Sequence, residues 1–160
     1  MAVGDGVPDA VGLSLPGQLA HQLQRKGNGT AQTVAGGDIA VHDDLGIQHL
    51  GECEALLGVD LLRRAKVEVT IASATGNRAI TSSHKVHITA DALAEDIDYS
   101  DVDMVVLPGG IPGTPNLAAN KTVTDTCIAF AKAGKKVAAI CAAPIVLERA
   151  GLTGGKRVTG

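Results

Sequence analysis

Aromatic residues are almost absent from this 160-residue chain: it has no tryptophan, one tyrosine (Tyr99) and one phenylalanine (Phe130). Its core must therefore be assembled from Val, Ile, Leu and Ala, and an apolar content of 45% is enough to bury one in a single domain of ordinary size. Cysteine is also scarce. Cys53, Cys127 and Cys141 form an odd set with no CxxC pair, which argues against a disulfide framework and against a structural zinc site. No apolar run approaches the roughly 18 residues needed to span a bilayer. The N-terminus has no basic region followed by an apolar stretch, so no secretory signal is expected. With a net charge of −3 and no basic stripe interleaved with aromatics, a nucleic-acid partner is not expected either. These absences together predict a soluble protein of a reducing compartment, the cytoplasm, with no membrane partner.

The chain changes character near residue 51. Residues 1–50 hold neither an aromatic residue nor a glutamate, and their apolar residues keep no period for long. Leu19–Leu23 suggests a short helix and Asp38–His42 a short strand. A stretch of this length without its own pattern is uncommon inside a compact domain. Residues 1–50 are therefore read as an atypical segment, either a disordered extension or the result of a misassigned start or shifted frame. Residues 51–160 are read as the folded α/β part, with no convincing strand before Gly51.

From Gly51 onward the patterns are strong. Glu52–Ala65 reads as a helix with Leu57 and Leu61 on one face and Arg63 and Arg64 at its C-terminal end, where positive charge suits the helix dipole. Lys66–Ala72 alternates and is rich in β-branched residues, so a strand is predicted. Ala79–Thr81 and Val86–Thr89 can pair as a hairpin around Ser83 and His84. Val102–Leu107 is almost continuously apolar, as a strand buried on both faces should be. Lys121–Ala133 reads as a helix with Val123, Cys127 and Phe130 inward, Asn120 as its N-cap and Gly134 as its end. Lys136–Ile140 is a second buried strand. Pro144–Ala150 is a further helix, closed by Gly151. Strands alternating with helices predict a parallel sheet with right-handed crossovers, and a single helix is expected between the two buried strands.

Ligands of open parallel sheets bind beyond the carboxyl ends of the strands. Two features fall there: Pro108-Gly109-Gly110 after the first buried strand, and Cys141-Ala142-Ala143-Pro144 after the second. A residue between a strand end and a helix start sits on a sharp turn with its side chain pushed out of the sheet, the geometry of a nucleophile elbow. Pro144 suits the first turn of a helix, whose free amides would face the sulfur and favour the thiolate. Gly109 and Gly110 would let backbone amides approach a ligand, and the amides of Gly110 and Ala142 could together hold an oxyanion. Two plainer readings stay open: Cys141 as a small buried hydrophobe, and the glycine pair as an ordinary turn.

Three blocks, EALLGVDLLRRAKVEVTIAS from Glu54, VDMVVLPGG from Val102 and KVAAICAAP from Lys136, resemble the ThiJ/PfpI family in order and spacing. The resemblance implies a flavodoxin-like α/β fold related to class I glutamine amidotransferases, a parallel sheet sandwiched by helices. It places Cys141 on the family's nucleophile, Glu54 on the glutamate that hydrogen-bonds it, and Gly110 and Ala142 on its oxyanion donors. It further implies a glyoxalase or protein-deglycase activity on 2-oxoaldehydes or glycated adducts, without cofactor or metal, and a homodimer. Burial beside a thiolate would keep Glu54 a neutral acid that donates to sulfur and relays protons as a hemithioacetal rearranges. A redox-sensing chaperone or stress protein without turnover is the alternative, since a low-pKa thiol beside an acid would oxidise readily to the sulfinate. An inactive fragment is another. An intracellular peptidase of the PfpI kind is weakest, because Ala142 stands where that branch carries a histidine.

The chain departs from the family pattern in three places. The opening buried strand is not legible before Gly51. The family's histidine, further strands and closing helix lie beyond the point reached at Gly160. His84 stands where a close relative carries an arginine near the dimer contact. Gly154-Gly155-Lys156 is not a P-loop, because the spacing is one short and Arg157 replaces Ser or Thr. His42, Asp43, Asp44 and His49 are metal-ligating residue types, but spacing alone does not set a coordination geometry, and no metal is expected.

Overall fold

The computed structural model describes residues 51–82 and 85–158, and the backbone of residues 30–35. The short helix and strand expected at Leu19–Leu23 and Asp38–His42, the four possible metal ligands, and the hairpin tip at Ser83 and His84 lie outside the described residues.

Among the described residues, β1 (Thr30–Ala35), β2 (Glu68–Ser73), β5 (Ala92–Leu93), β6 (Met104–Leu107) and β7 (Lys136–Ala139) form one sheet in the order β5-β2-β1-β6-β7. Every neighbouring pair in it is parallel. The expectation that no strand precedes Gly51 is therefore corrected. TAQTVA occupies the centre of the sheet, paired along its whole length with β2 and over Ala31–Thr33 with β6. It is illegible locally because only Thr30, Thr33 and Val34 are β-branched, and two flanking ladders supply what propensity does not.

The sheet is covered on both sides. α1 (Gly51–Arg64) and the antiparallel hairpin of β3 (Ala79–Thr81) and β4 (His87–Thr89) lie on one face; their Val59, Leu62 and Ile80 pack with Val69, Ile71, Met104, Val106 and Ala138. α2 (Gly113–Ala119), α3 (Lys121–Lys132) and α4 (Pro144–Arg149) lie on the other, where Leu117, Val123, Phe130 and Val146 pack with Val105, Leu107 and Ala139. β6 divides its side chains strictly, Met104 and Val106 one way, Val105 and Leu107 the other, and all four are buried. That two-sided burial is why the strand reads as an unbroken apolar run. The two aromatics pack on each other, with ring centroids 6.1 Å apart and planes at 86°, and Lys135 Nζ lies 5.1 Å from the Phe130 centroid.

Three local expectations change. α1 buries Val59 and Leu62, while Leu57 is 54% exposed. The helix carries leucines at 56, 57, 61 and 62, so apolar pattern alone does not select a face. Lys66 belongs to no strand; it takes φ +61° and ends α1, with the amides of Lys66 and Val67 returning to Arg63 and Leu62, so β2 begins at Glu68. The crossover from β6 to β7 holds two helices rather than one. α2 (GTPNLAA) was unreadable because Gly113 and Pro115 look like turn residues, yet a proline within the first helical turn breaks no hydrogen bond. Asn120 joins the two: its Oδ1 accepts from the Val123 amide at 3.1 Å and its Nδ2 donates to the Ala74 carbonyl at 2.9 Å. Gly134 and Gly151, at φ +69° and +72°, end α3 and α4 as expected.

Candidate active site

The carboxyl ends of β6 and β7 are adjacent because the two strands pair in register from Met104↔Lys136 to Leu107↔Ala139, and the Ile140 amide extends the ladder to the Leu107 carbonyl. Just beyond, Pro108-Gly109-Gly110 and Cys141-Ala142-Ala143 leave the sheet side by side. Cys141 adopts φ +56°, a left-handed conformation that a residue with a Cβ adopts at an energetic cost, and its side chain is exposed. The Ala143 amide closes the turn onto the Ile140 carbonyl at 3.0 Å. Cys141 is thus not the buried small hydrophobe of the plainer reading. Cys127 is: it is fully buried in α3, and burial pushes its thiol up to about 12. All three cysteines are free thiols, Cys53 exposed near the start of α1.

Gly109 is where the site converges. A Cβ built on it would stand 2.7 Å from the Cys141 Cβ, 2.9 Å from Glu54 Oε2 and 2.9 Å from the Ile140 carbonyl oxygen. Only a glycine admits so close an approach of helix α1, the β6 end and the β7 turn. Glu54, half-buried in α1, accepts a hydrogen bond from the Gly109 amide at 3.2 Å. The structure thus brings Glu54 and Cys141 together at one glycine. It gives Glu54 the Gly109 amide as partner, rather than the sulfur. Sequence reasoning weighed Gly109 and Gly110 as amides open to a ligand and missed this role of Gly109; the signal available was that a glycine pair, rather than a single turn glycine, follows the strand. Gly110 has φ +94°, and its carbonyl accepts from the Thr114 amide at 2.9 Å, in the first turn of α2.

The expected helix-amide route to the sulfur is corrected. Pro144 has no N–H, the Ile145 amide bonds the Ala142 carbonyl at 3.2 Å, and the Val146 amide bonds the Ala143 carbonyl at 2.9 Å, so the start of this six-residue helix is engaged by its own turn. Among the described residues, the amides of Gly110 and Ala142 donate to no backbone acceptor.

A cavity of about 440 Å³ opens against Cys141 on its α4 side. Cys141 and Ala142 line it together with α4 and the segment that follows. Glu54 and Gly110 are not among its lining residues, so Cys141 borders both the Gly109 contact shared with Glu54 and the cavity.

A family model for the DJ-1/PfpI family matches residues 46–160, which hold both the cysteine turn and the glycine pair. The chain belongs to the DJ-1/PfpI family. It is 37% identical to the Drosophila melanogaster protein dj-1beta over 108 residues, which are 68% of this chain and 58% of that protein. It is 36% identical to the zebrafish (Danio rerio) Parkinson disease protein 7 homolog over 111 residues, 68% of this chain and 58% of that protein. Among solved structures, oxidized Toxoplasma gondii DJ-1 superposes with a TM-score of 0.68 at 30% identity, covering 79% of this chain and 63% of that one. Drosophila DJ-1beta superposes with a TM-score of 0.66 at 31% identity, covering 78% and 61%. The fold is the α/β, flavodoxin-like fold of these DJ-1/PfpI proteins. The chain spans a little over half the length of the Drosophila and zebrafish relatives it matches. Among the described residues no helix is long and apolar enough to cross a membrane.

Proposed function

We propose that this protein is a cysteine-dependent enzyme of the glyoxalase or deglycase type, acting on 2-oxoaldehydes or their adducts. The observation that carries the reading is the convergence at Gly109: an exposed thiol held at φ +56° and a carboxyl group meet across a residue with no side chain. In this reading the Cys141 sulfur adds to the aldehyde carbon, forming an S–C bond while the thiol proton passes to the carbonyl oxygen. Glu54 keeps one carboxyl oxygen on the Gly109 amide and has the other for proton transfer as the hemithioacetal rearranges to a 2-hydroxyacyl thioester, whose S–C bond water then cleaves to release the hydroxy acid and the Cys141 thiol. The amides of Gly110 and Ala142, which donate to no backbone acceptor among the described residues, are suited to the developing oxyanion. A relative named glutathione-independent glyoxalase DJR-1.2, from Caenorhabditis elegans, is 29% identical over 108 residues and supports the reaction class. The test is incubation with methylglyoxal without glutathione: lactate is expected, and Cys141→Ala abolishes its formation. Lactate at an undiminished rate from the substituted protein refutes the assignment.

A second reading, oxidation of Cys141 without turnover, is favoured by the exposure of that thiol and by the solved relative described as oxidized DJ-1. Peroxide followed by mass analysis of the Cys141 peptide separates the two: prompt sulfinate in a protein that makes no lactate supports the sensor. A homodimer and a reducing cytoplasmic setting belong to the same proposal. Leu56 and Leu57, 39% and 54% exposed on α1, are apolar side chains suited to a partner subunit, and sedimentation equilibrium tests it.

A further inference from the structure

The cavity against Cys141 is larger than a three-carbon aldehyde needs. At about 440 Å³ it falls within the roughly 300–1,000 Å³ of sites that enclose whole organic ligands. The surroundings of Cys141 are uneven. Toward Gly109 there is no room, because one carbon added there would stand 2.7 Å from the Cys141 Cβ, well inside carbon–carbon contact. Toward α4 the space is open, and Ala142, Pro144, Ile145 and Val158 give it an apolar wall beside the cysteine. Ile145 and Val158 are 46% and 43% exposed. Single exposed aliphatic residues are ordinary on a protein surface. Here two of them, one from α4 and one from the segment after it, line the same space as an exposed thiol. Glu148, Thr153 and Lys156 complete the wall. Glu148 is exposed and Lys156 keeps an interaction of its own, so neither has to be stripped of its surroundings when an apolar chain enters.

We infer that this cavity receives the alkyl substituent of the substrate, so that the protein favours 2-oxoaldehydes with an unbranched chain of several carbons over methylglyoxal. The substituent on the ketone carbon turns away from Gly109 and runs along Ile145 and Val158, where chain and side chains leave water together. The reaction rests on the proposed function; the alkyl subsite rests on the closed Gly109 side, the cavity and its two aliphatic residues. The chemistry balances without an added oxidant or reductant: the aldehyde carbon is oxidised as the ketone carbon is reduced, and one water is consumed when the thioester is cleaved. Burying a methylene completely corresponds to roughly a fourfold gain, and walls that stay half open give about twofold for each one.

The test has two arms. In the first, Cys141 of the 160-residue chain is alkylated by N-methylmaleimide and by N-butylmaleimide, with N-acetylcysteine as the reference thiol and the Cys141 peptide followed by mass. The thiol adds across the maleimide double bond, so this arm needs no turnover. The butyl reagent, longer by three methylenes, is expected to gain about eightfold at Cys141 relative to the reference. Ile145→Gln and Val158→Gln should each lower that gain roughly two- to threefold. Both side chains are exposed, so neither substitution removes core packing. Equal relative rates for the two reagents, or a gain that both substitutions leave intact, overturns the subsite. In the second arm, kcat/KM for conversion of 2-oxohexanal to 2-hydroxyhexanoate is expected about eightfold above that for methylglyoxal to lactate. A butyl gain in a protein that converts neither aldehyde refutes only the proposed function. Conversion of both aldehydes with equal kcat/KM refutes the substrate preference.

Discussion

Replacing Gly109 with alanine is the sharpest perturbation the fold offers. The added Cβ would lie 2.7 Å from the Cys141 Cβ and 2.9 Å from both Glu54 Oε2 and the Ile140 carbonyl. All three are well inside the 3.5–4.0 Å at which carbon atoms attract. Only the carboxyl tip can swing away. The other two contacts are a turn Cβ and a backbone carbonyl at the end of β7, so relief requires the Cys141 turn to move about an ångström. Overpacking of this kind costs about 1–3 kcal/mol. A misplacement of that size in a reacting group lowers a rate about 100-fold. The assay is paired: a urea midpoint for stability, and lactate formation from methylglyoxal together with iodoacetamide labelling of Cys141 for the site. Gly58→Ala is the comparator, because a Cβ there meets nothing within 4 Å in the interior of α1, and it should gain roughly 0.5–1 kcal/mol. If Gly109→Ala keeps both the midpoint and the labelling rate of the unsubstituted protein, the convergence at Gly109 is not what holds the site.

Other outcomes follow from single groups. Cys127 should resist iodoacetamide in the folded protein at pH 8 while Cys53 and Cys141 label, as peptide mass analysis would show. Burial raises the Cys127 thiol from 9.0 to about 12, so between those values the unfolded chain releases a proton that the folded one keeps. Its contribution to stability is therefore intact below about pH 9 and declines as pH rises toward 12, a slope that Cys127→Ala should remove from urea midpoints taken across that range. Asn120→Ala loses both the cap on Val123 and the tie to the Ala74 carbonyl, and a destabilisation of about 1–2 kcal/mol is expected in thermal melts. Thr114 is fully buried with a hydroxyl that has no hydrogen-bond partner among the described residues, so Thr114→Val should be neutral or raise the midpoint by up to about 1 kcal/mol. A clear loss in that variant would mean that the hydroxyl is satisfied in solution.

Elements buried on both faces or on one helical stripe were legible locally. Val102–Leu107 appears as the buried strand β6, Lys136–Ile140 as the strand β7 with Ala138 and Ala139 buried, and the stripe of Val123, Cys127 and Phe130 is buried in α3. Local composition reports burial directly in such segments. β1 was not legible, because its sequence has little β propensity and its ladders to β2 and β6 join it to segments distant along the chain. Nor was α2, because Pro115 in a first helical turn has the same local signature as a proline in a loop.

The same division runs through the site. Chain order alone put Cys141 at a strand end before a helix and Gly109-Gly110 at another, because strand, turn and helix signals are local. Resemblance supplied Glu54 as the partner. That Gly109 is the shared contact, that the first amides of α4 are already bonded within their own turn, and that Glu148 and Lys156 share a cavity with Cys141 were decided only by the packed structure. Those facts join residues far apart along the chain, and distances between such residues are set when sheet and helices close on one another.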